Sequence, residues 1–285
     1  MHRHMESVSP DSGLTVLVVG AGAVENAWTP ILRALEHYHD FPLTQDGATS
    51  FLARVVYLQR WHTTFPDPAE RERLAGIQKM YGNICTQIRT EVRAAQEAGE
   101  LRVRPEFDAI IERFLVKRRT PFAVINTNWD STIEDALTAR FGKRHGSIVG
   151  ASHLHGSVRS DDPLYLPTEL TREAYRSTDE HNRFGGLHVG AMQALECARH
   201  VVLYGLSLSP LDAELSQTIE SGWNGSSLLE SVDIIDLDHE LVAHRVNLLV
   251  DPRRVVAVHG YHPSALETRS DYTIHRSSSN TGADA

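Results

Sequence analysis

Five short apolar runs, separated by segments with helical patterning, constrain the fold of this chain more than any other feature. The runs are rich in β-branched residues and lie at residues 14–19, 122–125, 200–204, 232–235 and 255–258, with a weaker sixth at 152–154. Continuous apolar runs of this length are typical of parallel strands buried on both faces. Helical patterns fit between most of them, at residues 26–39, 131–141, 190–199, 212–223 and 239–249. This alternation predicts an α/β fold, a Rossmann-like doubly wound parallel sheet.

Residues 40–119 interrupt the alternation. Residues 69–99 are rich in Glu, Arg, Gln and Ala at helical spacing, and no strand pattern lies near them. We therefore predict a helical insertion at 40–119 in a Rossmann-like domain made of 13–39 and 120–265. Residues 159–184 are expected to form a long loop or lid, centred on 164–175, and the polar segments 1–12 and 269–285 to be flexible termini.

Composition excludes several classes of protein. The net charge of -9 provides no basic field for nucleic acid, so direct nucleic-acid binding is not expected. The two cysteines, Cys85 and Cys197, lie far apart and cannot form a disulfide framework or a four-thiolate zinc site. No apolar run approaches the roughly 20 residues that span a bilayer, and residues 1–12 lack the apolar core of a signal peptide. We expect a cytoplasmic protein that does not contact the membrane.

A glycine turn follows the first predicted strand directly. Gly20, Ala21, Gly22 and Ala23 lead from that strand into the first helical pattern. A strand, a glycine turn and a helix N-terminus bring backbone N–H groups to one point and favour a pyrophosphate. The third glycine of the dinucleotide fingerprint is missing, since Glu25 stands at its position. The turn therefore indicates either a nucleotide site or a turn in which glycine serves packing alone.

Polar residues follow the next two predicted strands. Asn126, Thr127, Asn128, Trp129 and Asp130 come after one strand, and His153, Leu154, His155 and Gly156 come with the next. Open parallel sheets bind their ligands at these strand ends. The amide of Asn128 suits a ribose or a water, the carboxylate of Asp130 suits a carboxamide, and His155 can take a proton near neutral pH.

Each of these residues also has a structural alternative. Asn126 and Asp130 can cap the helix that begins near Ser131, and Trp129 is expected in the core. His153 and His155 are two apart on a strand and face the same side, but no third ligand has a suitable spacing, so no metal site is expected.

The later strand ends repeat the pattern. Gly205 and Ser207 follow one strand, and Asp236 ends the next. A carboxylate at such a position can hold ribose hydroxyls, and the serine hydroxyl can reach a phosphate or ribose oxygen. The alternatives are a simple turn at Gly205 and a helix cap at Asp238.

Taken in order, these motifs resemble the sirtuin-like family. The resemblance rests on the turn at residues 20–23, the segment at 126–130, His155-Gly156, Gly205-Leu206-Ser207 and the region of Asp236, and it covers residues 14 to about 258. It implies a Rossmann-type domain that binds NAD+ as its substrate and cleaves the bond between nicotinamide and ribose.

The resemblance also implies roles for individual residues. Asn128 would orient the ribose or the attacking water, Asp130 would hold the nicotinamide carboxamide, and His155 would be the general base. Gly20, Ala21 and Gly22 would face the pyrophosphate, Gly205 and Ser207 would lie beside phosphate and ribose, and Asp236 would lie near the adenosine. The neighbouring Ala23, Asn126, Thr127 and Gly156 are expected to complete the NAD+ site.

This sequence departs from the deacylating branch of the family. It lacks the two Cys-x-x-Cys pairs of the zinc module, and Val24 stands where a serine usually follows the glycine turn. The arginine-bearing segment after the turn is not recognisable either. The chain is more similar to zinc-free prokaryotic sirtuin-like domains that hydrolyse NAD+ in antiphage defence. Some of these assemble as oligomers or with a HerA-like ATPase or an Argonaute-type protein, and such partners are expected here.

The expected reaction is hydrolysis of NAD+ to nicotinamide and ADP-ribose, with water positioned by Asn128 and His155. Two alternatives stay open, namely a sensor that binds NAD+ or ADP-ribose without turnover and an ADP-ribosyltransferase. An ordinary dehydrogenase fits less well, because the acidic residue expected about 20 positions after the turn falls at Asp40 or Asp46, outside any strand pattern.

Overall fold

The computed structural model describes residues 13–38, 42–64, 71–142, 152–160 and 162–273. Its strands, in chain order, are β1 (Leu14–Val19), β2 (Val24–Glu25), β3 (Arg102–Val103), β4 (Phe122–Asn126), β5 (Ser152–His153), β6 (Ala198–Tyr204), β7 (Ser231–Ile235), β8 (Ala257–Tyr261) and β9 (Arg269–Tyr272). Its α-helices are α1 (Thr29–Leu35), α2 (Gln45–Thr64), α3 (Arg71–Glu97), α4 (Phe107–Ile110), α5 (Thr132–Phe141), α6 (Thr178–Glu196), α7 (Ala213–Gly225) and α8 (His239–Leu249).

The main sheet confirms the predicted fold class. Within the described ranges its strand order is β5-β4-β1-β6-β7-β8-β9. The first six strands are parallel, and only β9 runs antiparallel, against β8. This is the strand order of a doubly wound Rossmann-like sheet. Strands β4 and β5 are added on one side of β1, and strands from β6 onward are added on its other side, so the order of strand addition reverses between β1 and β6. The carboxyl ends of these two strands therefore mark the crevice where such sheets bind ligands.

Both faces of the sheet are buried, which explains why its strands are continuously apolar. Leu17 and Val19 of β1 point into a core formed with α1 to α5, and Val16 and Val18 point into a second core formed with α6 to α8. The helices of residues 40–119 belong to the first core, to which α3 contributes the fully buried Ile84. A parallel sheet covered on both faces needs apolar side chains in both directions.

Two local predictions at the end of the chain are corrected. The strand expected at 255–258 lies at Ala257–Tyr261, and residues 269–272, expected to be part of a flexible terminus, form β9. The sequence Arg269-Ser270-Asp271-Tyr272 has no strand pattern of its own, but it pairs with β8, for example Ser270 opposite Gly260. Residues 1–12 and 274–285 lie outside the described part of the chain.

The helix expected at 190–199 is also corrected, because α6 begins twelve residues earlier. Its N-cap is Ser177, whose hydroxyl accepts from the Glu180 amide while the Glu180 carboxylate accepts from the Ser177 amide. This reciprocal arrangement is a capping box, which stabilises a helix start. At the other end, Ala198 and Arg199 belong to β6 rather than to the helix.

The helical region contains one feature that periodicity did not predict. The two residues of β3 pair with the two residues of β2, so that Val103 lies opposite Val24. This small ribbon joins the end of α3 to the segment just after the glycine turn. None of the helices described is long and apolar enough to cross a membrane.

Candidate functional site

The glycine turn lies at the carboxyl end of β1, beside the equivalent end of β6. The amide of Gly20 donates to the Tyr204 carbonyl at 3.0 Å, and the amide of Gly22 donates to the Gly205 carbonyl at 2.9 Å. Gly205 has a φ of +59°, and a Cβ on Gly20 would lie 2.5 Å from its carbonyl oxygen. Only glycine permits this approach of two backbones. The glycines of the turn are therefore needed for the packing of the two backbones. The turn also faces the cavity described below.

The helix expected directly after the turn begins later. The turn continues into a 3-10 segment, Ala21–Ala23, and then into β2, and α1 starts only at Thr29. The prediction that a helix N-terminus supplies positive charge at the turn is therefore wrong. Ala23 is fully buried and its amide donates to Gly20 at 3.1 Å, so this candidate binding residue supports the turn from inside.

Arg104 supplies positive charge at the turn instead. It follows β3, and its Nε donates to the carbonyl of Gly22 at 2.6 Å. Its own amide donates to the Ala23 carbonyl at 3.2 Å, which extends the β2–β3 ribbon. The guanidinium lines the cavity beside the turn. Sequence reasoning missed this residue because it lies 82 positions from Gly22 and in the helical region.

The loop after β4 is held by its own polar side chains. Asn126 is fully buried, its Oδ1 accepts from the Asn128 amide at 2.9 Å, and its Nδ2 donates to Glu134 at 3.2 Å. Asn126 therefore shapes the loop and does not line the cavity, contrary to the expectation of a binding role. The amide and hydroxyl of Thr127 both donate to the Val19 carbonyl at 3.0 Å, and this residue does line the cavity.

Asn128 links this loop to the glycine turn. Its Nδ2 donates to the Gly20 carbonyl at 3.2 Å, and only 7% of the residue is exposed. Its own carbonyl accepts from Nδ1 of His153 at 2.9 Å, while Nε2 of His153 contacts Glu134 at 2.7 Å. Burial alone lowers the pKa of His153, but the hydrogen bond and charge of Glu134 outweigh it and raise the pKa. His153 thus stabilises the loop by linking the backbone of Asn128 to Glu134.

Asp130 bonds the first turn of α5 and also lies at the cavity. Its Oδ1 accepts from the Thr132 amide at 2.9 Å, in the first turn of α5, and the residue also lines the cavity. Burial raises the pKa of its carboxyl above the usual value, although the hydrogen bonds from Thr132 oppose this. The neighbouring Trp129 donates its indole N–H to the Tyr165 carbonyl at 3.1 Å and packs against the core.

His155 lies between two hydrogen-bond acceptors. Its Nδ1 is 3.1 Å from the Thr127 carbonyl, and its Nε2 is 3.4 Å from a carboxylate oxygen of Asp212. Burial is the largest single effect and lowers the pKa of His155, but the charge and hydrogen bond of Asp212, the Thr127 carbonyl and the charge of Glu214 together raise it above its usual value. The next residue, Gly156, has a φ of +81°, and a Cβ there would overlap the Pro163 carbonyl. Gly156 therefore shapes the turn and does not line the cavity.

The later strand ends reach the same cavity. Gly205, Ser207 and Asp236 all line it. The Ser207 carbonyl accepts from Arg245 Nη1 at 2.5 Å, and Oδ1 of Asp236 accepts from the Asp238 amide at 2.9 Å. These bonds fix the two loops at the ends of β6 and β7.

The cavity has a volume of about 730 Å³ and lies at the carboxyl ends of β1, β4, β6 and β7. This volume is in the range of small-molecule sites, roughly 300–1,000 Å³. The candidate site residues that line it are Gly20, Ala21, Gly22, Thr127, Asn128, Asp130, His155, Gly205, Ser207 and Asp236. The lining side chains that sequence reasoning did not single out include Trp28, Arg104, Glu106, Asp212, Glu214 and Arg245.

One face of α3 holds two of the loops that form the cavity. Gln96 accepts from the amide of Ser131 at 3.1 Å, in the loop after β4. Arg93 donates to the Val158 carbonyl at 2.6 Å and Arg89 donates to the Ser160 carbonyl at 2.5 Å, both after β5. These loops carry Asn128 and His155, so α3 positions the candidate catalytic residues from the side of the helical region.

The segment expected to be a lid is anchored. Arg176 pairs with Glu169 at 2.8 Å, with 4% and 0% of their side chains exposed. Glu173 pairs with Arg60 of α2, and the Thr171 amide donates to Glu214 at 2.7 Å. Removing one partner of a buried ion pair typically costs about 3–5 kcal/mol. Residues 164–176 are therefore a fixed wall of the cavity, which corrects the expectation of a lid.

Charge is distributed unevenly around the cavity. Arg104 lies at the glycine turn and Arg245 bonds the Ser207 carbonyl, whereas Asp212 and Glu214 lie beside His155. No group of three or more His, Cys, Asp or Glu side chains among the residues with described positions is arranged to hold a metal ion.

No model of a known protein family matches the chain, and no curated protein sequence is significantly similar to it.

Proposed function

We propose that this chain is an NAD+ hydrolase, which cleaves the bond between nicotinamide and ribose and releases nicotinamide and ADP-ribose. The observation that carries the proposal is the meeting of Asn128, His155 and the glycine turn in one cavity at the reversal point of the sheet. The motif resemblance to sirtuin-like domains supports the same activity.

The charge distribution supports one orientation of the substrate. NAD+ carries an anionic pyrophosphate between a cationic nicotinamide riboside and an adenosine. The pyrophosphate fits beside Gly20 and Gly22, where glycine permits close approach and Arg104 supplies a guanidinium. The adenosine fits toward Asp236, and the nicotinamide riboside fits toward the carboxylates near His155.

The side chains on that side suit hydrolysis. When the C1′–N bond breaks, its electron pair goes to the nicotinamide nitrogen and leaves positive charge on the ribose. Buried carboxylates such as Asp130 stabilise that charge. Water adds its oxygen to C1′ and gives its proton to Nε2 of His155, which later releases the proton to solvent. Because Nδ2 of Asn128 donates to Gly20, its Oδ1 is the atom suited to accept from the water or a ribose hydroxyl.

The proposal extends to biological context on the resemblance alone. A chain that destroys NAD+ continuously would harm its own cell. We therefore propose an antiphage defence effector that acts as a homo-oligomer, or together with a HerA-like ATPase or an Argonaute-type protein.

The test is direct measurement of products. Purified protein is incubated with NAD+, and nicotinamide and ADP-ribose are quantified by chromatography. Equal amounts of the two products are expected. His155→Asn keeps a donor for the Thr127 carbonyl but has no titrating nitrogen, and it should lower nicotinamide release at least about 100-fold. The matched control is His200→Asn, since His200 lies on β6 and bonds Ser231 at 2.9 Å outside the cavity.

Other outcomes would identify other functions. Undiminished release by His155→Asn would contradict the assignment. Binding of NAD+ without release of nicotinamide would favour a sensor, and transfer of label from NAD+ to protein or nucleic acid would favour an ADP-ribosyltransferase.

A further inference from the structure

Two aspartates begin neighbouring helices in the same backbone conformation but use their side chains differently. Asp212 precedes α7 with φ −117° and ψ 55°, and Asp238 precedes α8 with φ −116° and ψ 54°. The carboxylate of Asp238 accepts from the Leu241 amide at 3.3 Å, as a helix N-cap normally does. The carboxylate of Asp212 makes no such bond to its own helix.

The carboxylate of Asp212 is directed to His155 instead, with Oδ1 3.4 Å from Nε2. The same backbone angles permit a capping bond at Asp238, and such a bond stabilises the start of a helix. Giving up a local stabilising bond is characteristic of functional positions. The comparison indicates that the position of the Asp212 side chain is set by His155.

The hydrogen bond made by Nδ1 of His155 determines that Nε2 is the nitrogen that titrates. Nδ1 faces the carbonyl of Thr127 at 3.1 Å, and a carbonyl only accepts, so Nδ1 keeps its hydrogen. Nε2 is then the nitrogen that gains and loses a proton; it faces Asp212, and both residues line the cavity. The 3.4 Å between Nε2 and Oδ1 of Asp212 is longer than a typical N–H···O hydrogen bond, so the contact between the two side chains is loose.

We propose that Asp212 is a positioning residue for His155. Its carboxylate holds the ring with Nε2 toward the cavity and stabilises the imidazolium that forms when Nε2 takes a proton from water. The inference deepens the proposed hydrolase and rests on it for the source of that proton.

The charged groups that face His155 are Asp212 and, with a smaller effect, Glu214 on the first turn of α7. Glu214 is already engaged, because both of its oxygens accept from the Thr171 amide, at 2.9 and 2.7 Å. Among the groups that raise the pKa of His155, Asp212 makes the largest contribution, ahead of the Thr127 carbonyl and Glu214. A general base needs its neutral form, so removal of the Asp212 charge should move the acid limb of the activity profile to lower pH.

The experiment uses the full chain with labelled histidine and follows the His155 ring by NMR through a pH titration, with the signal assigned by its loss in His155→Asn. Asp212→Asn should lower the pKa of His155 by about one unit or more. It should also shift the acid limb of nicotinamide release by the same amount and reduce the plateau rate. Asp212→Glu, which restores the charge, should recover part of the shift.

Asp238→Asn is the matched control, because asparagine is as good an N-cap as aspartate and the position has the same backbone angles. It should change neither the His155 pKa nor the rate. An unmoved His155 pKa in folded Asp212→Asn would overturn the proposal, and so would unfolding of Asp212→Asn, which would make the carboxylate structural. A lowered pKa in a chain that releases no nicotinamide would keep the pairing and reject the hydrolase.

Discussion

The side-chain amide of Asn128 donates to the carbonyl of Gly20 at 3.2 Å, across 108 residues of sequence. This bond joins the loop after β4 to the turn after β1 at the edge of the cavity. It holds the side-chain amide of Asn128 in a fixed orientation.

Replacement of Asn128 by alanine separates its chemical role from its structural one. Asn128→Ala should lower nicotinamide release at least about 100-fold, because both the acceptor for water and the orientation of the loop are lost. Loss of the bond should reduce the free energy of unfolding by only about 1 kcal/mol. Activity is measured by product chromatography and stability by urea denaturation.

The control for this prediction is Asn224→Ala. Asn224 accepts from the Asp251 amide at 3.2 Å on the far end of α7 and lies outside the cavity. It should show a similar stability change and normal activity. Equal losses of activity in the two variants would contradict the role of Asn128.

Arg104→Ala should weaken NAD+ binding, because its guanidinium lies at the glycine turn, beside the proposed pyrophosphate position. Loss of a hydrogen bond to a charged group costs about 1.5–3 kcal/mol, roughly a tenfold or greater rise in Kd. The measurement is calorimetric titration with NAD+ in a His155→Asn background, which prevents turnover. The dependence of Kd on salt should also become smaller.

Arg102→Ala is the matched control two residues earlier. Arg102 is exposed and donates to the Gly99 carbonyl at 2.9 Å, outside the cavity. Its removal should leave Kd unchanged. An equal rise in Kd for both variants would mean that Arg104 acts only through the overall charge of the protein and not at the pyrophosphate position.

Asp130→Asn should stabilise the protein at neutral pH while it weakens substrate binding. Burial raises the pKa of the Asp130 carboxyl, so its contribution to stability is present below the unfolded-state pKa of about 4 and is lost as pH rises through the folded-state pKa. An asparagine oxygen can still accept from Thr132 without carrying that cost.

The measurement is Tm of both proteins from about pH 3 to pH 7, together with KM for NAD+. The variant should match the wild type at low pH, exceed it at pH 7 and have a raised KM. Asp108→Asn, an exposed carboxylate paired with Arg140 at 2.7 Å, serves as the control. A wild-type Tm that rises relative to Asp130→Asn with increasing pH would contradict the burial cost.

Much of the sheet was predictable because each of its buried strands is an apolar run that can be recognised within a single short segment of the sequence. The runs at 14–19, 122–125 and 232–235 are apolar on both faces, and they agree with β1, β4 and β7 to within one residue at each end. The strand ends then followed from the rule that parallel sheets bind ligands at their carboxyl edge. That rule predicts that Asn128, His155 and Asp236 lie close together, and all three line the same cavity.

The remaining features depend on contacts between distant segments. β9 is a polar segment that becomes a strand only because β8 offers an open edge. Arg104 reaches the glycine turn through the two-residue pairing of β2 with β3, which is too short to leave a periodic pattern. Asp212 has the sequence signature of an ordinary helix cap, and only its side-chain direction distinguishes it from Asp238.

The bonds from α3 to the loops after β4 and β5 have a consequence for the control of rate. Gln96, Arg93 and Arg89 lie on one helix of 27 residues, so a shift of that helix is expected to displace the loops of Asn128 and His155 together. A displacement of about 1 Å at reacting groups can cost on the order of 100-fold in rate. Val92 is the one residue of this helix, as described, that lines the cavity. In the proposed hydrolase, a ligand bound to the outer surface of α3 is therefore expected to change the rate of turnover without touching the substrate.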